Sequence, residues 1–219
     1  MLETNTLLSL EHTIAADYLA GFPHPWEALP GIKDEVIRLG EALDKNEFEE
    51  ISPQVWVHKS VKIAPTASIG APCIIGADTK VRQCAFIRGS ALIGEGCVIG
   101  NSVEVKNAII FDGAQVPHFN YVGDSILGYK AHMGAGAVTS NVKQDKTPIV
   151  IKNQFKNIET GLKKFGAILG DSVEIGCNCV LNPGTVIGRN SRVYPLSSVR
   201  GVIGENIIYK GSGKVVKMR

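Results

Sequence analysis

The chain has 219 residues, 44% of them hydrophobic, and a formal net charge of +2. A chain of this length and apolar content can bury a full core, and so small a charge argues against nucleic acid or an anionic membrane as the main partner. No apolar run approaches the length of a membrane span, and the N-terminus lacks the basic start and apolar stretch of a signal peptide, so a soluble, cytoplasmic protein is expected.

Residues 1–50 carry helical signals. Leu7, Leu10, Ile14 and Leu19 are roughly helically spaced, the Phe22-Pro23-His24-Pro25-Trp26 stretch interrupts the chain, and Ile32, Val36, Ile37, Leu39 and Leu43 suggest a second amphipathic helix that Gly40 weakens. An N-terminal helical cap is expected, lying across the open end of the unit that follows, because an uncovered end would expose unpaired backbone and an apolar cross-section. His12 and His24 are isolated here and read as surface or packing residues.

From Ile51 the pattern changes. Every sixth residue is large and apolar: Ile51, Val57, Ile63, Ile69, Ile75, Val81, Ile87, Ile93, Ile99, Val105 and Phe111. A second series in a new register runs through Leu169, Ile175, Leu181, Ile187, Val193 and Val199, and glycine follows the apolar residue at Gly70, Gly76, Gly94, Gly100, Gly170, Gly176 and Gly188. Neither the helical period nor plain alternation gives a six-residue spacing, whereas a solenoid of short strands and sharp turns does. The expected fold is all-β, a β-helix of hexapeptide repeats over residues 51–208. With three hexads to a turn, Ile51, Ile69, Ile87 and Val105 should stack as one ladder, and Val57, Ile75, Ile93 and Phe111 as another. The glycines suit corners where a side chain would crowd the turn or φ must be positive. Of the five cysteines, Cys73, Cys97 and Cys179 sit at the small position of the hexad and read as core fillers; Cys177 and Cys179 lack the further ligands of a metal site.

The repeat stumbles at Pro117, resumes weakly through Val122-Gly123, Leu127-Gly128 and Met133-Gly134, and vanishes over residues 142–166. That excursion reads as a protruding hairpin or loop, with a β-like Ile149-Val150-Ile151, a polar turn at Lys152-Asn153-Gln154, and Lys143, Lys146, Lys152, Lys156, Lys163 and Lys164 set against Asp145 and Glu159. Excursions of this length from a compact solenoid usually serve function or an oligomer contact. Residues 209–219 read as a basic, loose tail.

Three stretches bring polar groups to the register break: GNSVEVK (100–106), PHFNYVGD (117–124) and MGAGAVTSN (133–141). Their E-x-K, H-x-x-Y-x-G-D and G-A-G-x-x-T-x-N order, running without a gap from about Arg88 to Asn141, resembles the hexapeptide acyltransferase family, in particular the acetyltransferase domain of the bacterial bifunctional N-acetylglucosamine-1-phosphate uridyltransferase/glucosamine-1-phosphate acetyltransferase. The resemblance implies a left-handed parallel β-helix, acetyl-CoA as cosubstrate, no metal for acyl transfer, and a homotrimer with sites between neighbouring prisms. It also implies N-acetylation of an amino sugar phosphate such as glucosamine 1-phosphate, or of a nucleotide-linked amino sugar.

Carried over position by position, the resemblance makes His118 the general base that takes a proton from the sugar amine, a task suited to an imidazole with a pKa of about 6.5. It assigns Arg88, Lys106 and Tyr121 to the sugar phosphate and gives Glu104 and Asn141 the orientation of the base or the amine. Ala135, between two glycines, lets the pantetheine arm approach the backbone, with Asn141 and Lys143 beside the donor. The lysine-rich excursion would then lie near the CoA phosphates, or instead pack Ile149, Val150 and Ile151 on a neighbouring subunit. Two positions depart from the family: His132 replaces an asparagine expected near the sugar, and the family's N-Y-D-G becomes Asn141-Val142-Lys143-Gln144. A sugar-phosphate nucleotidyltransferase lacks its G-x-G-T-R-M type segment here. A non-catalytic assembly or regulatory β-helix would have no need of His118, and a zinc site would have only His118 and His132.

Overall fold

A computed structural model of the chain describes residues 2–153 and 157–218. The hexads form a three-sided parallel β-helix. Cys73–Ile75 pairs with Ala91–Ile93 on a first face, Lys80–Val81 with Val98–Asn101 on a second, and Ser68–Ile69 with Phe86–Ile87 on a third. The hexad residues point inward and fill the tube with Ile75, Ile87, Ile93, Ile99, Val105 and Leu169, all nearly inaccessible to water.

Two ladder positions differ from the sequence expectation. Ile69, Ile87 and Val105 stack as expected, as do Val57, Ile75 and Ile93. Ile51 is not in the tube: it is 47% exposed on Phe48–Ser52, an antiparallel strand edging Val55–His58. Ile93 is followed in its column by Ile110 rather than Phe111, which instead packs outside the tube. For Phe111 the cause is the loss of one residue from each of two successive turns. Cys73 lies opposite Ala91, eighteen residues on, but Ala91 lies opposite Ala108 and Ala108 opposite Ser125, so two turns are seventeen residues long. The register therefore slips near Asn107, before Pro117, and again near Asp124.

The glycines that follow the hexad residues serve close approach between turns. A Cβ at Gly76 would stand 2.7 Å from the carbonyl carbon of Gly94, and one at Gly188 would stand 2.6 Å from the nitrogen of Glu205. The left-handed backbone falls two residues later, at Asp78, Ser102, Asn178 and Asn190.

The N-terminal segment, which includes Pro25–Gly31 and the helix Ile32–Ala42, lies along the first face rather than across the end of the prism. The reason is an outward apolar column on that face. Trp56, Ile74, Leu92, Ile109, Ile126, Ile168 and Val186 point away from the tube and are covered by Leu7, Leu8, Leu19, Trp26, Leu29, Ile32 and Val36. Burying each such side chain contributes roughly 1.5–3 kcal/mol, so this flank is a second core.

Ile149, Ile151, Ile158, Leu162 and Phe165 of the excursion join the same flank. Val150–Ile151 pairs antiparallel with Ile158–Glu159, and Ile149, Ile151 and Phe165 are fully buried within their own chain, Val150 remaining half-buried. Packing of Ile149 and Ile151 on a neighbouring subunit is thereby replaced by intrachain packing. The strand can lie this close because a Cβ at Gly201 would stand 2.3 Å from the Lys152 carbonyl oxygen. Lys156 falls outside the described residues. At the C-terminus, Val215–Lys217 is an antiparallel edge strand on Ile207–Tyr209.

Two predictions follow from this packing. Trp26→Ala should lower stability by about 3–5 kcal/mol in urea unfolding, since it opens a cavity in the flank core. Burial pushes the Cys73 and Cys97 thiols up to about 12 and raises Cys179, because it disfavours the thiolate, while Cys84 and Cys177 are exposed. A thiol-reactive dye at about pH 8 should label Cys84 and Cys177 rapidly and the other three only after unfolding.

Candidate functional site

The two deletions shape the corner between the third and first faces. There the strands Glu104–Ile110 and Tyr121–Leu127 run on around the bend, pairing Glu104 with Tyr121, Lys106 with Gly123 and Ala108 with Ser125. The bend is made by Asn107 and Asp124, each at φ 47°. Asparagine and aspartate enter left-handed backbone more readily than other residues with a Cβ. Gly123 carries no side chain because the Tyr121 ring covers it: a Cβ there would be 2.3 Å from the phenol oxygen.

Asp124, 4% exposed, is the hub of a polar cluster. Its Oδ1 accepts from Asn107 Nδ2 at 2.9 Å and its Oδ2 from Asn141 Nδ2, while Lys106 Nζ stands 3.4 and 3.2 Å from the two oxygens. Asn141 Nδ2 also donates to the Tyr121 hydroxyl at 3.1 Å. Alongside, Arg88 Nη1 pairs with Glu104 Oε1 at 2.8 Å. Burial raises the Tyr121 phenol above its ordinary pKa, with further contributions from the charges of Asp124 and Glu104, and Arg88 opposes them.

The expected residues thus fall into separate places. Arg88, Glu104, Lys106, Tyr121 and Asn141 share the third face near one corner. His118 ends the strand Gln115–His118 at the other corner of that face; it is exposed, and its imidazole has no hydrogen-bond partner among the described residues. Its backbone is fixed: His118 N donates to Asn120 Oδ1 at 3.0 Å, and Gly136 N donates to the His118 carbonyl at 3.0 Å. Buried Asn120 in turn donates to the carbonyls of Gly134 at 2.7 Å and Ala137 at 3.0 Å, tying the His118 corner to the Gly134-Ala135-Gly136 corner above it. His118 and Ala135 therefore lie on adjacent turns.

His132 lies elsewhere. It stands on the second face, in a shallow groove with Gln115 and Lys130, and its Nδ1 is 2.9 Å from Glu174 Oε2. Within one chain it does not join Arg88, Lys106 and Tyr121. Lys143 is held in its own turn by the Thr147 hydroxyl and by Asp145 Oδ2 at 3.2 Å. It borders a cleft of about 440 Å³ beside Asn141, lined also by Ser140, Gln144, Lys152, Asn182 and Arg200.

Four residues outside the sequence expectation complete the arrangement: Asp124, Asn107, Asn120 and Arg200. Asp124 stood in the H-x-x-Y-x-G-D motif without a role. Asn107 could have been found from its seventeen-residue offset to Asp124, the length of one turn.

A hexapeptide β-helix with a buried polar hub at one corner is the class of protein that fold and site define. Residues 72–188 match the family described as the GMPPB C-terminal domain, and the chain belongs to that family. It is similar to the bifunctional sugar-1-phosphate nucleotidylyltransferase/acetyltransferase of Sulfurisphaera tokodaii, 33% identical over 105 residues, covering 48% of this chain and 26% of that protein. It is also similar to the bifunctional protein GlmU of Caldanaerobacter subterraneus subsp. tengcongensis, 36% identical over 134 residues, covering 61% of this chain and 26% of that protein. The chain spans about a quarter of the length of the curated relatives it matches. Among solved structures, AntD, an N-acyltransferase from Bacillus cereus in complex with dTDP and 3-hydroxybutyryl-CoA, aligns over 74% of this chain and 81% of its own at 21% identity and a TM-score of 0.48.

The raised Tyr121 phenol is directly measurable. The ultraviolet difference spectrum between the wild-type chain and Tyr121→Phe should contain one phenol that ionises only above the ordinary value of about 10, because burial and two carboxylates disfavour the phenolate. A difference spectrum titrating at or below that value would contradict the geometry of the cluster.

Proposed function

We propose that the chain is an acetyl-CoA-dependent acyltransferase acting on the amine of an amino sugar phosphate or nucleotide-linked amino sugar, with His118 as general base. The observation that carries this is the joining of Arg88, Glu104, Lys106, Tyr121 and Asn141 on one face whose other corner presents an imidazole free of hydrogen-bond partners among the described residues. A relative named as a bifunctional sugar-1-phosphate nucleotidylyltransferase/acetyltransferase supports the reaction class.

In the proposed reaction the sugar amine attacks the thioester carbon of acetyl-CoA. Its proton passes to His118, which is accessible and held at the backbone. The tetrahedral intermediate then collapses with cleavage of the carbon–sulfur bond, and the departing CoA thiolate takes up a proton. Arg88 and Lys106 supply the charge for the acceptor phosphate. Both cations are already paired, so an incoming phosphate must compete with Glu104 for Arg88, the more exposed pair at 46% and 36%, more easily than with buried Asp124 for Lys106. The cleft beside Asn141 supplies Lys143, Lys152 and Arg200 to the phosphates of the donor, and the small Ala135 corner next to His118 admits the pantetheine arm. A homotrimer belongs to this proposal. Exposed Phe119 and Leu196 at corners of the prism and the free His118 are consistent with a neighbouring copy completing the site, and His132 would then serve a neighbour's acceptor.

An acetyl-CoA consumption screen across amino sugar phosphates and nucleotide-linked amino sugars tests the activity; failure with every acceptor sinks it. His118→Ala should lower kcat by about 10²–10⁴ with an unchanged melting temperature, since the side chain is exposed and outside both cores. Replacing Lys152 and Arg200 by glutamine should raise the acetyl-CoA KM roughly three- to tenfold for each site with little change in kcat. An unchanged donor KM in both variants would place the CoA phosphates elsewhere.

A further inference from the structure

Lys106 and Asn141 are useful to a reaction only if their polar ends stay put. Both are tied to Asp124, and Asp124 is in turn held from outside the β-helix. The Asn107 side-chain amide has two N–H groups. Its nitrogen lies 2.9 Å from Asp124 Oδ1 and 3.2 Å from the carbonyl oxygen of Leu29. Leu29 belongs to Pro25–Gly31 of the N-terminal segment, so this bond joins that segment to the hub.

A second route reaches the same place. Trp26, three residues before Leu29, stacks on Phe165 with ring centroids 6.1 Å apart. Phe165 N donates to the Asn141 carbonyl at 3.0 Å, and the next amide, Gly166 N, donates to the Asp124 carbonyl at 2.8 Å. The segment therefore bears on the Asp124 side chain through Asn107, and on the Asn141 and Asp124 backbones through Phe165.

The geometry points to the N-terminal segment as a working part of the site: docked Pro25–Gly31, acting through Asn107 and Phe165, positions Asp124, and Asp124 positions Lys106 and Asn141. Asn107 and Asp124 are positioning residues, since the groups they orient, rather than they themselves, face the acceptor. The inference rests on the acyl-transfer function proposed above for the identity of the working groups, but the relay itself is a matter of structure and can be measured without turnover.

Asn107→Gly is the informative variant. Glycine takes the left-handed corner without strain, so the substitution removes both amide bonds and leaves the backbone at ease. Asn107→Asp, isosteric and also tolerant of that backbone, removes both donors by a different route and serves if the glycine variant does not fold. In the full chain, the assigned Asn141 side-chain amide signals in a ¹H–¹⁵N correlation spectrum should move and exchange with water roughly fivefold faster. The kcat for acetyl transfer should fall at least about fivefold with the acetyl-CoA KM within about twofold, the split expected when placement rather than donor binding is lost. Trp26→Phe, which shrinks the stacking partner, should shift the same Asn141 signals in the same direction.

Unmoved Asn141 signals in a folded variant overturn the relay, whether or not the protein is active. Moved signals with wild-type kcat overturn the working role, and loss of cooperative melting in both Asn107 variants makes the residue purely structural and overturns the inference as well. A wild-type chain that acetylates nothing fails the proposed function instead, while the amide signals still decide the relay.

Discussion

Successive turns of the prism are joined by backbone hydrogen bonds such as Lys80 N to Cys97 O at 2.9 Å and Glu104 N to Asn120 O at 2.9 Å. Adjacent parallel strands lie about 4.8 Å apart, so side chains on consecutive turns are forced into columns. Everything else depends on that stacking. Inward columns must be apolar and of limited bulk, because the tube is shared by three faces. Outward columns are free to differ from face to face, and the protein uses them differently: apolar on the first, for docking, and charged on the third, for the candidate site.

Apart from a sixteen-residue turn near the C-terminus, where Val186 lies opposite Val202, the departures from strict stacking lie at the hub. Losing one residue near Asn107 and another near Asp124 lets two strands run around the corner instead of ending there, which brings Asn107 and Asp124 one above the other. Inserting the 142–166 excursion one turn later, so that Ser125 and Ala167 are neighbours across a 42-residue separation, leaves Asn141 against the Asp124 carboxylate and Phe165 against the Asn141 backbone. A buried aspartate is tolerated there because the Asn107 and Asn141 amides and the Lys106 ammonium are directed at its oxygens.

The repeat was legible because the geometry demands it: only residues of the Ile75 and Ile87 kind fit the tube, and they recur at the hexad spacing whatever the rest of the chain does. The slip near Asn107 was hidden because Ile110 and Phe111 are both apolar, so the six-residue count passes over the deletion undisturbed. The place of the N-terminal segment was written in the chain but not in the hexads. Ile74, Leu92, Ile109 and Ile126 each stand between two inward residues, and an apolar residue at an outward position every turn marks a face that something must cover. The polar cluster was half legible. Lys106, Tyr121 and Asn141 were found by motif, whereas the contact of Asn107 with Leu29 spans 78 residues and follows no local rule.

The charges of the cluster form two unlike pairs, and the difference bears on how an acceptor would be handled under the proposed function. Lys106 and Asp124 are 24% and 5% exposed, so separating them would leave a carboxylate in a poorly hydrated place. Arg88 and Glu104 stand at the surface, where water already screens their attraction and exchange of partners costs little. A dianionic phosphate would therefore recruit Arg88 and leave Glu104 without its cation, beside Tyr121 in the strand register. A freed carboxylate next to the site can orient the acceptor amine by accepting a hydrogen bond from it, while the proton released on attack passes to His118. Phosphate recognition by Arg88 and amine orientation by Glu104 then become successive states of one ion pair, with Lys106 held in place by Asp124 as the fixed reference against which the acceptor is aligned.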